Sequence, residues 1–181
     1  MSKKIASSHQ TVVSATERDI RSRLRGHDLD FTAMSAVSNI YRSGSAVRNH
    51  MERAVLDAYD LSWVAFTVLW ILWIWGEQET GHVAQEAGVS KGTLTGVLKT
   101  LQTRKLIRRI PHTKDRCRVS VALSRSGERL IEDLFPEFNR HETLAVGALS
   151  SGEQRELARL LRLVLGHIGD VDAPVSPDNP S

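Results

Sequence analysis

A run of fifteen residues, Leu61–Trp75, restricts the fold of this chain more than any other feature. It reads LSWVAFTVLWILWIW and is bounded by Asp60 and Glu77. A membrane-spanning helix needs about 20 apolar residues, so this run is too short to cross a bilayer. Because it is apolar on nearly every side, it is also unsuited to a protein surface. We therefore predict a buried helix that Ser62 caps and that lies in the middle of a globular domain.

The composition agrees with such a domain. The chain has 181 residues, of which 41% are hydrophobic and 25% are charged, enough for one domain with a sizeable core. Its one cysteine, Cys117, cannot form an intrachain disulfide, which suits a reducing compartment. Residues 1–10 lack the apolar segment of a signal peptide. We therefore expect a cytoplasmic protein without a membrane partner.

Helical periodicity flanks the apolar run on both sides. Before it, from Phe31 to about Tyr59, apolar residues recur every three or four positions and predict one helix, through Met34, Val37, Tyr41, Gly44, Val47, Met51 and Val55. Towards the end, Ser150 and Glu153 form a capping box for a last helix that Gly169 ends. The apolar stripe of that helix comprises Leu157, Leu160, Leu161, Val164, Leu165 and Ile168.

The remaining segments outside the centre are assigned more coarsely. A long helix is expected from about Ser126 towards Leu149, and Pro136 should kink or break it. Residues 1–29 are predicted to form an arm or a short extra helix, and the proline-rich residues 170–181 a disordered tail. The helical stripes of residues 30–60 and 126–169 exceed what one small domain can cover, which predicts a homodimer. Burial of these stripes within one chain is the alternative.

Residues 80–101 predict two helices joined by a tight turn. Thr80 is the expected N-cap of a helix over residues 82–87, and Gly88 ends that helix with a positive φ. Ser90 is the expected N-cap of a second helix, from Lys91 to about Arg104. The inner face of this helix carries Leu94, Val97, Leu98 and Leu101. Its outer face carries Thr93, Thr95, Gly96, Lys99, Thr100 and Thr103. Such a spacing of small, glycine and aliphatic residues is typical of a helix-turn-helix.

Two short strands are predicted after this pair of helices. They cover Leu106–Pro111 and Arg118–Ser124, and the second places Val119, Val121 and Leu123 on one face. Residues 112–117, HTKDRC, form the polar loop between them. The predicted fold is therefore mainly α with a small β-hairpin wing. It comprises a winged helix-turn-helix over residues 61–125 and a terminal-helix dimerisation region over residues 30–60 and 126–169.

Charge is concentrated in the predicted winged segment. The chain as a whole has a net charge of +3, but the 35 residues from Lys91 to Arg125 hold ten basic residues and a single acidic one, Asp115. The rest of the chain is acidic, with 14 basic and 20 acidic residues. Such a basic surplus on one segment favours a polyanionic partner, and double-stranded DNA fits the helix-turn-helix.

The residue types also suit DNA. A helix face of small, threonine and lysine side chains can enter the major groove, which is about 12 Å wide. Thr93 and Thr95 are expected to contact bases or phosphates, and Lys99 a phosphate. The first N–H groups of the helix, near Ser90 and Lys91, can hold a further phosphate. In the wing, the predicted DNA contacts are Lys114, Asp115, Arg116 and Arg118, with Arg116 in a minor groove and Asp115 orienting an arginine. The alternatives are an ordinary surface helix and a solvated turn.

These segments together resemble the MarR (multiple antibiotic resistance regulator) family, over about Phe31 to Gly169. The resemblance is carried by DLSWVAFTVL, VAQEAGVSKGTLTGVLKTLQTRKLIRR, KDR with VSVALS, and SSGEQRELARLLRLVL. It implies an obligate homodimer whose first and last two helices interlock. It also implies binding to a pseudo-palindromic operator, usually as a repressor that a small, often phenolic or amphipathic ligand releases.

The chain departs from the family pattern in two places. After the recognition helix, which here is the second helix of the predicted helix-turn-helix, the family usually has glycine, where this chain has Lys105. A left-handed Lys105 costs on the order of 1 kcal/mol, unless the helix ends differently. In the wing, His112 and Cys117 stand where the family often has an aspartate and a second arginine, and Arg118 is the residue that can compensate.

The other chemistry-bearing residues are interpreted as follows. Tyr41, Trp63, Phe66 and Trp70 are candidate contacts of a small aromatic or amphipathic effector, although core packing is the alternative. The seven histidines show no close ligand spacing, so no metal site or cofactor is expected. Cys117 is interpreted as passive rather than as a redox sensor. No catalytic motif is found, so we expect no enzyme.

The sequence therefore predicts a sequence-specific, homodimeric DNA-binding regulator. Two other functions remain open at this point. One is a non-specific architectural DNA-binding protein, and the other is a helical protein-interaction module without a DNA role.

Overall fold

The computed structural model describes residue 15, residues 17–111 and residues 119–171. The chain divides into two compact units, Met1–Glu142 and Thr143–Ser181, which are treated separately below. The first unit contains a short helical segment over residues 17–23, followed by α1 (Phe31–Ala54), a 3₁₀ turn (Leu56–Tyr59), α2 (Trp63–Trp75), β1 (Gln78–Glu79), α3 (Thr80–Glu86), α4 (Lys91–Thr103), β2 (Ile107–Pro111), β3 (Val119–Leu123) and most of α5 (Arg125–Ala145). The second unit contains α6 (Ser151–Val171).

Helix α2 lies at the centre of the first unit, as predicted. The Ser62 hydroxyl caps it by accepting the N–H of Ala65 at 3.2 Å. Its buried side chains share one core with residues of α1, α4, β3 and α5. Burial is not complete on all sides, because Ile74 and Trp75 at its C-terminal end are 48% and 51% exposed. Across the described ranges, no helix combines the length and hydropathy that crossing a bilayer requires.

Helix α1 is more exposed than its periodic pattern suggests. Asp30 caps it by accepting the N–H groups of Thr32 and Ala33, each at 2.9 Å. The helix ends at Ala54, and a separate 3₁₀ turn replaces the last part of the continuous helix that the sequence predicted. Met51 is buried, whereas Val37 is 65% exposed, so most of the apolar face is uncovered within one chain.

The segment before α1 is partly helical, in agreement with one of the two predicted forms. Within it, Glu17 accepts a hydrogen bond from the Asn39 amide at 3.1 Å, and the Arg21 guanidinium lies 5.9 Å from the centre of the Phe31 ring. These contacts hold the segment against α1. Residues 1–14 and 16 lie outside the described ranges.

The sheet has three antiparallel strands in the order β1-β3-β2. The two strands of the predicted hairpin are present, and Arg109 of β2 pairs with Val121 of β3. Strand β1 was not predicted, because two residues, Gln78 and Glu79, are too few to show a period. Strand β3 places Val119, Val121 and Leu123 on one face, as predicted, and its other face is covered as well, since Ser120 and Ala122 are also buried.

Helix α5 begins against Leu106, shortly after the end of α4, and continues through Pro136. A Cβ on Gly127 would lie 2.0 Å from the carbonyl oxygen of Leu106, so only glycine allows this approach. The predicted break at Pro136 does not occur. Both Pro136 and Glu132, whose carbonyl the proline leaves without its helical donor, are exposed, so water can satisfy that carbonyl.

The second unit is built around α6. Its predicted capping box is present, since the Glu153 carboxylate accepts the Ser150 N–H at 2.8 Å and the Ser150 hydroxyl accepts the Glu153 N–H at 3.3 Å. The Ser150 hydroxyl also donates to the Glu153 carboxylate at 2.7 Å, and this bond and the one from the Ser150 N–H lower the pKa of Glu153. The predicted end at Gly169 is wrong, because the helix continues to Val171. A glycine at this point ends a helix only where the chain turns into a left-handed conformation. The rest of the predicted disordered tail, residues 172–181, lies outside the described ranges.

Candidate nucleic-acid interface

Helices α3 and α4 form the predicted helix-turn-helix. Gly88 adopts a φ of 63° in the turn, as expected. Its N–H donates to Gln85 and that of Val89 donates to Ala84, both at 3.0 Å, which is a Schellman ending. Thr80 is not the N-cap of α3: the helix begins at Thr80 itself, and Glu79 precedes it without a side-chain capping bond. Pairing of Glu79 with β3 fixes this earlier start.

The inner face of α4 anchors it to the core. Leu94, Leu98 and Leu101 are at most 2% exposed. At the N-terminus, the Ser90 hydroxyl accepts the Thr93 N–H at 3.1 Å and lies 2.9 Å from the Thr93 hydroxyl. The predicted N-cap is therefore confirmed. Ser90 and Thr93 also hold each other, so a DNA contact by either hydroxyl would share its hydrogen bonds with this cap.

The outer face of α4 is exposed to solvent. Lys91, Gly92, Thr93, Thr95, Gly96 and Lys99 are all exposed. The Thr95 hydroxyl donates to the Lys91 carbonyl at 2.8 Å, which fixes its rotamer and leaves its oxygen able to accept. The N–H groups of Lys91 and Gly92 lie in the first turn, where a helix offers them no internal acceptor. The face thus presents two lysines, a threonine acceptor and a helix N-terminus in one surface.

A groove beside this face adds one basic side chain, that of Arg109, which was not predicted as a DNA contact from the sequence. The groove lies between α4 and the sheet. Lys91 and Thr95 line it from α4, and Arg109 lines it from β2. Arg109 was counted in the basic segment but not as a contact, because its distance from Lys91 along the chain hides their proximity in space.

The groove beside α4 measures about 370 Å³. A second groove, of about 480 Å³, lies beside the turn between α1 and α2, where Asn49, Glu52 and Asp57 line it. Only the first borders the outer face of α4. It is the one that joins Lys91, Thr95 and Arg109 into a single basic surface.

The end of α4 has the left-handed residue that the family pattern implies. Lys105 adopts a φ of 59°. Its N–H donates to Gln102 and that of Leu106 donates to Leu101, both at 2.9 Å, the same Schellman pattern as at Gly88. The Ser124 and Ser126 hydroxyls donate to the Lys105 carbonyl, at 2.6 and 2.9 Å. The start of α5 therefore fixes the turn that leads into β2.

The wing is described only at its base. Pro111, the last residue of β2, pairs with Val119, the first residue of β3, so the two strands are paired at the base of the wing. The predicted contacts Lys114, Asp115, Arg116 and Arg118 lie outside the described residues, as do His112 and Cys117. Their roles stay predictions.

Comparison with known proteins identifies the family. The MarR family model matches residues 61–119, from α2 to the start of β3. The uncharacterized HTH-type transcriptional regulator YwaE of Bacillus subtilis strain 168 is 39% identical over 155 residues, which cover 84% of this chain and 91% of that protein. This chain belongs to the MarR family. It is therefore a transcriptional regulator with a DNA-binding fold, and not an enzyme.

Solved structures confirm the winged helix-turn-helix fold of this MarR-family chain. AbsC, a MarR family transcriptional regulator from Streptomyces coelicolor, superposes with a TM-score of 0.70 at 17% identity, over 80% of this chain and 99% of that one. BpsR of Bordetella bronchiseptica, whose DNA binding is regulated by 6-hydroxynicotinic acid, gives a TM-score of 0.67 at 24% identity, over 71% and 97%. At these identities the likeness concerns the fold.

The four candidate effector contacts of the MarR-family chain lie on two helices. Trp63, Phe66 and Trp70 lie along α2 in one aromatic cluster, in which Phe66 stacks on Phe138 with ring centres 4.1 Å apart. Tyr41 is 76% exposed on α1. Phe66 is 5% exposed and already fills core space, whereas Trp63 and Trp70 are partly exposed. Their role in ligand binding stays a prediction.

Proposed function

We propose that this chain is a homodimeric, sequence-specific repressor of transcription that binds a pseudo-palindromic operator in double-stranded DNA. The outer face of α4 carries the proposal. It joins small side chains, two exposed lysines and a helix N-terminus on the second helix of a helix-turn-helix. That helix enters the major groove in proteins of this architecture, and its N-terminal residues meet the bases.

The contacts are assigned by position on this face. Thr93 and Thr95 reach base edges, while Ser90, Lys91 and Lys99 bind phosphates. Arg109 adds a phosphate contact from β2, because it shares a groove with Lys91. The wing residues Lys114, Asp115, Arg116 and Arg118 extend the interface into the neighbouring minor groove.

The homodimer is supported by apolar surface that one chain leaves open. On α1, Val37 and Tyr41 are 65% and 76% exposed. On α6, no residue is buried within the chain, and the exposed apolar residues comprise Leu157, Leu160, Leu163, Val164, Leu165, Ile168 and Val171. Patches of this kind mark protein interfaces. A two-fold dimer would place two α4 helices about 34 Å apart, one turn of DNA.

The DNA contacts are tested on a duplex obtained by selection of bound genomic fragments. Its affinity, measured by fluorescence anisotropy over a salt series, should exceed that of a random duplex by about 10³-fold or more. Lys99→Ala should weaken binding to both duplexes and lower the salt slope by about one unit. Thr95→Ala should instead change the sequence preference.

Arg129→Ala is the matched control, because it removes an exposed positive charge from α5 rather than from α4. It should leave the slope and the preference close to those of the wild type. Equal affinity for selected and random duplexes would favour an architectural DNA-binding protein. An unchanged slope in Lys99→Ala would contradict the placement of α4 in the groove.

The dimer is tested by sedimentation velocity. Val164→Glu places a charge in the apolar stripe of α6 and should shift the chain from dimer to monomer. Arg155→Glu, on the polar face of the same helix, should leave the dimer intact. A wild-type chain that sediments as a monomer at micromolar concentration would refute the homodimer.

The effector is proposed to be a small aromatic or amphipathic molecule that contacts Tyr41, Trp63, Phe66 and Trp70. Because BpsR responds to 6-hydroxynicotinic acid, that compound is a suitable first probe. Binding would change the tryptophan fluorescence and lower the affinity for the selected duplex. Trp63→Phe should weaken both effects together, and an effect on DNA that survives this change would place the effector elsewhere.

A further inference from the structure

Two histidines from different helices meet in the first unit. Nε2 of His50, on α1, lies 3.0 Å from Nδ1 of His141, on α5. The ring centres are 5.1 Å apart and the ring planes are inclined by 49°. His50 is half-buried, and the side chain of His141 is 13% exposed. The rings therefore approach through their nitrogens, with limited access to solvent.

This approach leaves room for only one proton between the two nitrogens. If both carried hydrogen, two N–H donors would face each other at 3.0 Å. A neutral imidazole nitrogen is also a common metal ligand. With metal–nitrogen distances of about 2.05 Å, two ligands are about 3.3 Å apart in a tetrahedral site and about 2.9 Å apart at neighbouring positions of a square-planar site. The observed separation lies between these values.

The surroundings of His141 include an acceptor for the tautomer that a metal needs. The Glu137 carboxylate lies 3.2 Å from Nε2 of His141, so it can accept the N–H there and leave the Nδ1 lone pair directed at His50. Arg140 competes, since its Nη2 lies 3.0 Å from the same nitrogen. Arg140 also contacts Glu137 itself, since its Nε donates to the carboxylate at 2.9 Å. A metal on Nδ1 selects the arrangement in which Glu137 accepts from Nε2.

We propose that His50 and His141 bind a first-row divalent ion of the Zn²⁺, Ni²⁺ or Cu²⁺ class, which links α1 to α5. Imidazole ligands suit these ions and not Mg²⁺ or Ca²⁺. Water completes the coordination, because no group of three or more His, Cys, Asp or Glu side chains converges in the described part of the chain. The expectation of no metal site rested on the absence of closely spaced ligands in the sequence, and these two histidines are 91 positions apart.

The test uses the full-length chain without an affinity tag. Titration with ZnCl₂ in a calorimeter should give one ion per chain, and the electron paramagnetic resonance spectrum with one equivalent of Cu²⁺ should show coupling to two nitrogens. His50→Gln and His141→Gln should each weaken Zn²⁺ binding by at least tenfold and leave coupling to one nitrogen. His27→Gln removes an exposed histidine and is the matched control.

Glu137→Gln keeps both ligands and tests the orienting carboxylate. It should weaken Zn²⁺ binding by about tenfold without changing the stoichiometry. This variant and the wild-type spectrum decide the question even if a histidine variant does not fold. A wild-type spectrum without two-nitrogen coupling would overturn the proposal. So would His50→Gln or His141→Gln binding Zn²⁺ as tightly as His27→Gln.

Discussion

The guanidinium of Arg104 donates to the carbonyl oxygen of Tyr59 at 2.8 Å, and it also donates to that of Asp60. These bonds join the residue after α4 to the turn between α1 and α2. The Asp60 carboxylate contributes little, because it lies 3.8 Å away and its side chain is 97% exposed. Two backbone carbonyls therefore help to fix the C-terminal end of α4, in addition to the packing of its inner face.

Arg104→Ala should lower the free energy of unfolding by about 1–3 kcal/mol, because the two carbonyls lose a charged donor. Chemical denaturation followed by circular dichroism measures this change. Arg108→Ala, an exposed arginine on β2, should change stability by less than about 0.5 kcal/mol. Equal losses in the two variants would show that the bonds of Arg104 add nothing.

Gly127→Ala should destabilise the chain by about 1–3 kcal/mol or more, since the new Cβ would lie 2.0 Å from the Leu106 carbonyl oxygen. The backbone at Leu106 or in α5 would have to move. Gly81→Ala, where no atom lies within 4 Å of the new Cβ, is the control and should be neutral or slightly stabilising. A Gly127→Ala protein as stable as the wild type would mean that α5 can move away from Leu106 at little cost in free energy.

Lys105→Gly should raise the free energy of unfolding by about 0.5–1 kcal/mol. Relief of the left-handed conformation outweighs the extra freedom that glycine gives the unfolded chain. The control Gln102→Gly, within α4, should lower stability by about 1 kcal/mol. Opposite signs in thermal denaturation are expected, and a loss in both variants would contradict the cost assigned to Lys105.

Glu137→Gln should flatten the acid limb of the stability profile. The pKa of Glu137 is lowered from 4.5 to about 2, chiefly by its hydrogen bond with Arg140. Its contribution is therefore present above about pH 4.5 and is lost as the pH falls towards 2. The melting temperature of the wild type should fall more steeply over this interval than that of Glu137→Gln. The effect should shrink in high salt, because the pair is exposed.

Glu132→Gln, on the same helix, makes the same change in charge and serves as the control for this profile. Its acid limb should follow that of the wild type. Parallel profiles for Glu137→Gln and the wild type would show that the ion pair with Arg140 does not form in solution.

Much of the DNA-binding unit follows from residues close together in the sequence. The caps at Ser62 and Ser90 and the positive φ of Gly88 were predicted correctly. Each depends on hydrogen bonds that span at most five residues, so the local sequence is sufficient. The inner face of α4 was predicted for a similar reason, because a period of 3.6 residues places apolar side chains on one side.

The amino-acid sequence by itself thus determined α2, the helix-turn-helix and the face that α4 presents. Only the tertiary structure decided that Lys105 takes a left-handed turn, because Ser124 and Ser126 fix its carbonyl from the next strand and helix. It also brought Arg109 into the groove of Lys91. These contacts join residues far apart along the chain, and packing places them where no local period records them.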